Sequence, residues 1–206
     1  MSPRKAAVLR DGGGEQSLRD HLIATAERVI AERGTVGLTV RGIAREAGVA
    51  DGVLYNHFAD KEELLAYGLR AHVRRAEQGL SDLPRPGDGS IEDNLRAYVI
   101  YGLAMHQAIV PAFTGLYSQP KVLARFAELG EPGEDWRDRL RGYLRAEVER
   151  GRLAPAAKVD AAARMIVGFC HESVMAALFH EVAGPEPDQA DVDDLVTVVL
   201  HGIVSS

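Results

Sequence analysis

Residues 39–61, TVRGIAREAGVADGVLYNHFADK, constrain the fold more than any other stretch of this chain. Thr39 is a predicted N-cap, because its hydroxyl can accept an orphan backbone N–H of a first helical turn. Val40, Ile43, Ala44 and Ala47 then recur at spacings of three and four and form one apolar face. Gly48 follows, the residue type that takes a positive φ and ends a helix at little cost. Val49 is apolar within the turn, so it is expected to point inward and set the angle between two helices. A second short helix is predicted from about Asp51 to His57, with Leu54 and Phe58 as core residues. Two helices joined by a tight, glycine-containing turn make a helix-turn-helix, whose second helix is shaped to enter the DNA major groove.

The segment closely resembles the DNA-binding signature of the tetracycline-repressor (TetR) family of bacterial transcription regulators. The resemblance rests on Thr39, Ile43-Ala44, Ala47-Gly48-Val49, Gly52, Leu54-Tyr55, His57-Phe58 and Lys61-Glu62-Glu63-Leu64-Leu65, in fixed order across residues 39–65. It implies DNA contacts at Thr39, Arg41, Asp51, Gly52, Val53, Tyr55, His57 and Lys61. Each has a physical role available. Tyr55, His57 and Thr39 can hydrogen-bond phosphate oxygens, and Lys61 in a first helical turn adds its charge to the helix dipole. Such contacts position a protein without reading sequence. Gly52 lets the backbone approach DNA, Val53 can meet a thymine methyl, and Arg41 can reach a guanine edge or a phosphate. Two positions depart from the family pattern. Ala50 stands where a capping Ser or Thr is common, and Asp51 where a polar or basic residue is common. Asp51 can take over the cap or accept a hydrogen bond from cytosine N4. A helical turn in some other bundle would have no reason to expose Tyr55, His57 and Lys61 together beside a glycine.

Charge distribution agrees with a DNA-facing N-terminal part. The chain has 206 residues and a net charge of −6. Residues 1–75 carry 12 Lys/Arg against 10 Asp/Glu, whereas the remainder carries 12 against 20. The less acidic part therefore holds the motif, and the acidic remainder would repel stray nucleic acid. One cysteine, Cys170, allows no internal disulfide and fits a reducing cytoplasm. Its plain reading is a small buried apolar residue. The N-terminus lacks the apolar stretch of a signal peptide, and charges interrupt the helical apolar runs before they reach membrane-spanning length. A cytoplasmic protein without a membrane partner is expected.

The expected fold is all-α, with about nine helices and no internal repeat. Residues 1–15 read as a mobile arm, where Arg4 and Lys5 could reach DNA but a solvated tail is the plainer reading. Residues 16–76 form the DNA-binding domain, its motif at 39–58. A first helix, about Ser17 to Arg33, covers the back of the motif. Asp60 and Glu63 form a capping box opening a fourth helix to about Leu80. Residues 81–90, SDLPRPGDGS, are the clearest linker. The family resemblance implies that residues 91–206 form an effector-binding and dimerisation domain. Ser90 caps a helix from about Ile91 to Gln107, and Pro111 and Pro120 each suit the first turn of a further helix. A loop over Gly130 to Gly133 precedes helices at about Glu134 to Arg150, Ala157 to Val182 and Ala190 to Val204, the last two separated by the Gly184 to Pro187 turn.

The C-terminal region is rich in aromatic, Met and His residues. Tyr98, Tyr101, Met105, His106, Phe113, Tyr117, Phe126, Trp136, Tyr143, Met165, Phe169 and His171 describe either an ordinary helical core or an aromatic-walled ligand pocket. The resemblance favours a pocket, since family members bind an effector between these helices. It also implies a homodimer through the last two helices, which carry small and apolar residues such as Ala161, Ala162, Gly168, Leu195 and Gly202. Catalysis finds no support: His171-Glu172 and His180-Glu181 lie on opposite sides of one helix, and no metal, cofactor or phosphate-loop motif is present. No cofactor is expected. The sequence therefore reads as a DNA-binding regulator, a repressor released from a palindromic operator by an apolar or amphipathic small molecule. Its rivals are an activator or ligand-independent regulator of the same fold, and a ligand-sequestering bundle with a vestigial DNA-binding unit.

Overall fold

The computed structural model describes residues 15–116, 118–130, 135–179 and 188–202. Among them are nine α-helices and no strand. They are α1 (Glu15–Arg33), α2 (Val40–Ala47), α3 (Asp51–Leu54), α4 (Lys61–Gln78) and α5 (Ile91–Thr114). After these come α6 (Pro120–Glu128), α7 (Trp136–Glu149), α8 (Val159–Phe179) and α9 (Gln189–His201). The N-terminal arm with Arg4 and Lys5, Tyr117, the Gly133 end of its loop, His180, Glu181 and the Gly184 to Pro187 turn lie outside the described residues.

The chain divides into two compact units, one holding residues up to Glu77 with Pro111–Gly130, the other Gln78–Val110 with the rest from Glu131. The first unit has a single core. Leu22, Ala26 and Ile30 of α1 meet Ile43 and Ala44 of α2, Leu54 of α3, and Leu64, Leu65 and Leu69 of α4. Ala112, Leu116 and Val122 are buried in that same core, so residues 111–130 belong with the motif rather than with the C-terminal domain as the sequence suggests. Polar chemistry reinforces the placement. A helix leaves its last carbonyls without partners, and the Thr35 hydroxyl donates to one of them, Ala112 O, at 2.6 Å. Gly115 permits the approach, because a Cβ there would stand 2.7 Å from Thr35 Oγ1 and 2.8 Å from Val36 N.

Pro111 does not open a helix. It lies inside α5, which continues to Thr114, past the predicted end at Gln107. A proline removes one backbone donor, and only a final turn follows it here. Pro120 does occupy the first turn of α6, as its fixed φ favours.

The second unit buries Leu95, Val99 and Leu103 of α5, Leu140 and Leu144 of α7, Ile166 and Cys170 of α8, and Val192 and Val196 of α9. The stretch 81–90 is not a free tether. Glu147, fully buried, accepts from Gly87 N at 2.8 Å and faces Arg152 Nη1 at 3.4 Å. Arg152 Nη2 in turn donates to Gly89 O at 2.6 Å, and Asn94 Nδ2 to Asp88 O at 2.6 Å. These bonds tie the connection between α4 and α5 into the second unit. By length and composition alone, Val159–Leu178 could cross a membrane. The expectation that charges interrupt every apolar run before that length does not hold for this helix, even though it contains Asp160, Arg164 and Glu172.

Gly68 marks the close approach of α4 to α1: a Cβ there would lie 2.8 Å from Ala26 Cβ and 3.1 Å from Ile30 Cδ1. Replacing a helical glycine by alanine gains about 0.5–1 kcal/mol of backbone entropy, but overpacking a core costs about 1–3 kcal/mol. Ala26 has no rotamer with which to move aside. Gly68→Ala should therefore lower stability by about 1 kcal/mol, read from the midpoint of chemical denaturation; unchanged stability would place the helices further apart.

Candidate nucleic-acid interface

Each end of the motif is fixed by local chemistry. Thr39 Oγ1 accepts from Gly42 N at 3.1 Å, making Thr39 the N-cap of α2. Gly48 closes α2 with a left-handed φ of 71° and bonds back to the Ala44 and Arg45 carbonyls. His21 Nε2 donates to the neighbouring Ala47 carbonyl at 3.2 Å, joining α1 to the turn. Arg28 and Arg33 of α1 reach Glu46 of α2 at 3.5 and 3.2 Å. At the start of α4, Glu63 N donates to Asp60 Oδ1 at 2.8 Å and the Glu63 carboxylate accepts from Ala59 N at 2.6 Å. That cap holds Lys61 in the first turn of α4. Beneath the motif, Phe58 is buried beside Tyr67, and the Arg19 guanidinium lies 5.0 Å and 4.2 Å from the two ring centres.

With the apolar face buried, the remaining side chains point outward. Thr39, Arg41, Asp51, Gly52, Tyr55 and Lys61 are exposed, Tyr55 at 60%. His57 is half-buried. Val53 is half-buried too, packed against the core, so less of it is presented to a base than the sequence suggests. An added Cβ at Gly52 would meet no atom within 4 Å. The protein's own packing therefore does not require that glycine. Asp51 does not serve as the cap: Ala50 is the N-cap of α3 and makes no side-chain bond. Instead Asp51 Oδ2 sits 3.2 Å from Arg41 Nε. The sequence alone does not pair the two residues, because opposite charges on two helices across a turn show no pairing until the turn angle is known.

The second unit gathers part of the predicted aromatic set. Tyr98 and Tyr143 have ring centres 5.1 Å apart, and Asn94 Nδ2 donates to Tyr143 Oη at 3.0 Å. Trp136 lies 6.4 Å from Tyr101 and 5.9 Å from His106, which is 5.7 Å from His171. Arg139 Nη2 donates to Tyr101 Oη at 3.1 Å. Met105 is buried and Phe169 half-buried. Three expectations move. Phe113 faces Phe126 edge-on at 5.1 Å against the first unit's core, Met165 is 44% exposed, and His171 is exposed although its ring meets His106. Asn94, Arg139 and Glu147 were missed, since a lone polar residue on a helix carries no periodic signal. The Trp136 indole N–H is buried with no hydrogen-bond partner among the described residues.

The pattern of bacterial regulatory proteins of the tetR family matches residues 22–67, and that of the AefR-like transcriptional repressor C-terminal domain matches 103–201. The chain belongs to the TetR family. Transcriptional repressor KstR2 of Mycobacterium tuberculosis is 29% identical over 200 residues, covering 94% of this chain and 96% of that protein. NemR of Escherichia coli K12, also a transcriptional repressor, is 32% identical over 84 residues, 41% of this chain. That match spans only 42% of NemR's own length. A transcriptional regulator FadR from Bacillus subtilis, solved in complex with stearoyl-CoA, shares the fold. It has a TM-score of 0.57 at 20% identity, over 90% of this chain and 99% of that one.

Among the described residues no group of three or more His, Cys, Asp or Glu could hold a metal ion. Burial pushes the Cys170 thiol up to about 12, so it carries no reactive thiolate near neutrality. Burial likewise pushes Tyr98 up to about 12, and the Tyr143 hydroxyl is raised to the same value. His106 Nδ1 bonds Gly102 O at 2.7 Å; a carbonyl only accepts, so Nδ1 carries the proton. Burial lowers the His106 pKa below its ordinary 6.5, favouring the neutral ring in the folded state. The unfolded chain then binds the proton first as pH falls below 6.5, so the stability contributed by His106 is lost as pH falls through the folded value. His106→Gln should flatten that part of the profile between pH 7.5 and 5.5, measured by thermal melts. Parallel profiles for both proteins would place His106 in a wetter site.

Proposed function

We propose that this chain is a homodimeric, ligand-responsive repressor whose helix-turn-helix binds a palindromic operator in the cytoplasm. The observation that carries the reading is the display of Thr39, Arg41, Gly52, Tyr55 and Lys61 outward from a motif capped at both α2 and α4. Phosphate contacts by Thr39, Tyr55, His57 and Lys61 position the protein, and the Arg41 and Val53 side chains meet base edges. One reading helix buries too little DNA for tight specific binding, so two copies on two half-sites are required. The surface of α8 supports a second copy as occupant: it is long and apolar, yet Met165 and Leu178 are 44% and 43% exposed. A Cβ at Gly168 would meet nothing, leaving room for a partner helix.

The effector is an apolar or amphipathic molecule held in the second unit by Tyr98, Tyr101, Met105, His106, Trp136, Tyr143, Phe169 and His171. Phe113 and Met165 fall outside this set on their packing, and exposed His171 belongs to it only through its ring contact with His106. A buried donor without a partner costs about 1–3 kcal/mol; the Trp136 N–H has none among the described residues, and a ligand acceptor would offset such a cost. The chain crosses between its units at residues 77–78, 110–111 and 130–131. Those crossings include α5, so ligand binding can bias the spacing of the reading helices through them. Coupling of about 1–3 kcal/mol weakens operator binding about 5- to 150-fold.

Operator selected from a random duplex pool provides the test. Tyr55→Ala and Lys61→Ala should each weaken binding by about 10-fold and leave dimer and fold intact. Lys61→Ala should also flatten the salt dependence by about one counterion per subunit, about two for the dimer. Gly52→Ala is the sharper probe. It should keep or raise the melting temperature, since the new methyl meets open space, while operator affinity falls. Full affinity in all three variants would refute this interface.

A further inference from the structure

The Arg41–Asp51 pair is unusual in its setting. Arg41 is 88% and Asp51 52% exposed, with Nε and Oδ2 3.2 Å apart. Ion pairs this open contribute almost nothing to folding, because solvent screens them and two side chains must be ordered. Near DNA the carboxylate is a liability, since it repels phosphates. If Arg41 were a phosphate contact, Asp51 would work directly against it. Asp51 does not cap α3 either. The pair therefore has little value for the fold or for binding the DNA backbone.

Its geometry suits a different task. The guanidinium is a rigid planar fork with five N–H donors. Asp51 engages the Nε side, which leaves the terminal Nη1 and Nη2 donors available. Two parallel donors are what guanine O6 and N7 accept in the major groove. A free arginine loses much rotamer entropy on docking; once DNA excludes the solvent that screens the pair, the Asp51 carboxylate holds the guanidinium more firmly than it does in the free protein. The same carboxylate cancels the charge that would otherwise draw Arg41 to any phosphate. Resting on the operator-binding reading above, we infer that Asp51 is a specificity-determining residue: it holds Arg41 to read a guanine in each half-site and withholds that charge from non-specific DNA.

The test begins with duplexes enriched by the wild-type protein from a random pool. Wild type, Asp51→Asn, Arg41→Ala and the double variant are then titrated with the enriched site, with versions in which each G·C pair is replaced, and with random duplex across a salt series. In wild type, replacing one guanine per half-site should cost about 10-fold. Asp51→Asn should cut that penalty to about 3-fold or less, while random-duplex binding rises and its salt slope steepens by about 0.9 for each bound subunit. Arg41→Ala should abolish the preference at the same position, and adding Asp51→Asn should then change nothing further. Both residues are exposed, so circular dichroism melts should coincide. If Asp51→Asn keeps every wild-type base preference, Asp51 sets no specificity, although the operator reading stands. If wild type enriches no sequence at all, the operator reading itself fails.

Discussion

An eight-residue helix followed by a four-residue helix cannot hold its shape in water alone. Nucleating a helix costs more than so few backbone hydrogen bonds return. The motif of this chain therefore depends on burying Ile43, Ala44, Ala47, Leu54 and Phe58 against α1 and α4. That one burial decides which faces are left for DNA. It also explains the caps at Thr39, Gly48 and Asp60: with so few turns, each unpaired terminal group is a large fraction of the total. Arg19, stacked on Phe58 and Tyr67, closes the open edge of the same core.

The second unit solves a different problem. Its interior contains polar groups, Asn94, His106 and Glu147, that burial would penalise without partners. Glu147 and Asn94 find theirs in the backbone and side chains around residues 87–89 and 143. In doing so they convert a proline- and glycine-rich connection into an ordered part of the unit. His106 is satisfied on one ring nitrogen by Gly102 O. The Trp136 N–H is buried beside Tyr101 and His106 with no hydrogen-bond partner among the described residues.

Local signals were legible in the sequence wherever chemistry acts over one or two turns. The caps at Thr39, Asp60 and Ser90, the stop at Gly48 and the core positions of α1, α2 and α4 all follow from spacing and residue type. Signals that depend on distant chain were not legible. Pro111 reads as a helix start because a proline suits one, but here α5 carries it in its final turn. Phe113 reads as part of an aromatic pocket because aromatics cluster nearby in sequence, yet Phe126 draws it into the other core.

The amino-acid sequence alone determined an all-helical chain with a helix-turn-helix at residues 39–58, because helix periodicity and capping are encoded within a few neighbouring residues. Tertiary structure decided that residues 111–130 pack with that motif, that 81–90 are anchored, and that Asp51 pairs with Arg41 instead of capping α3. Each of those outcomes turns on the angle or distance between helices. Such quantities are set by how whole faces interlock, and no short window of residues contains them.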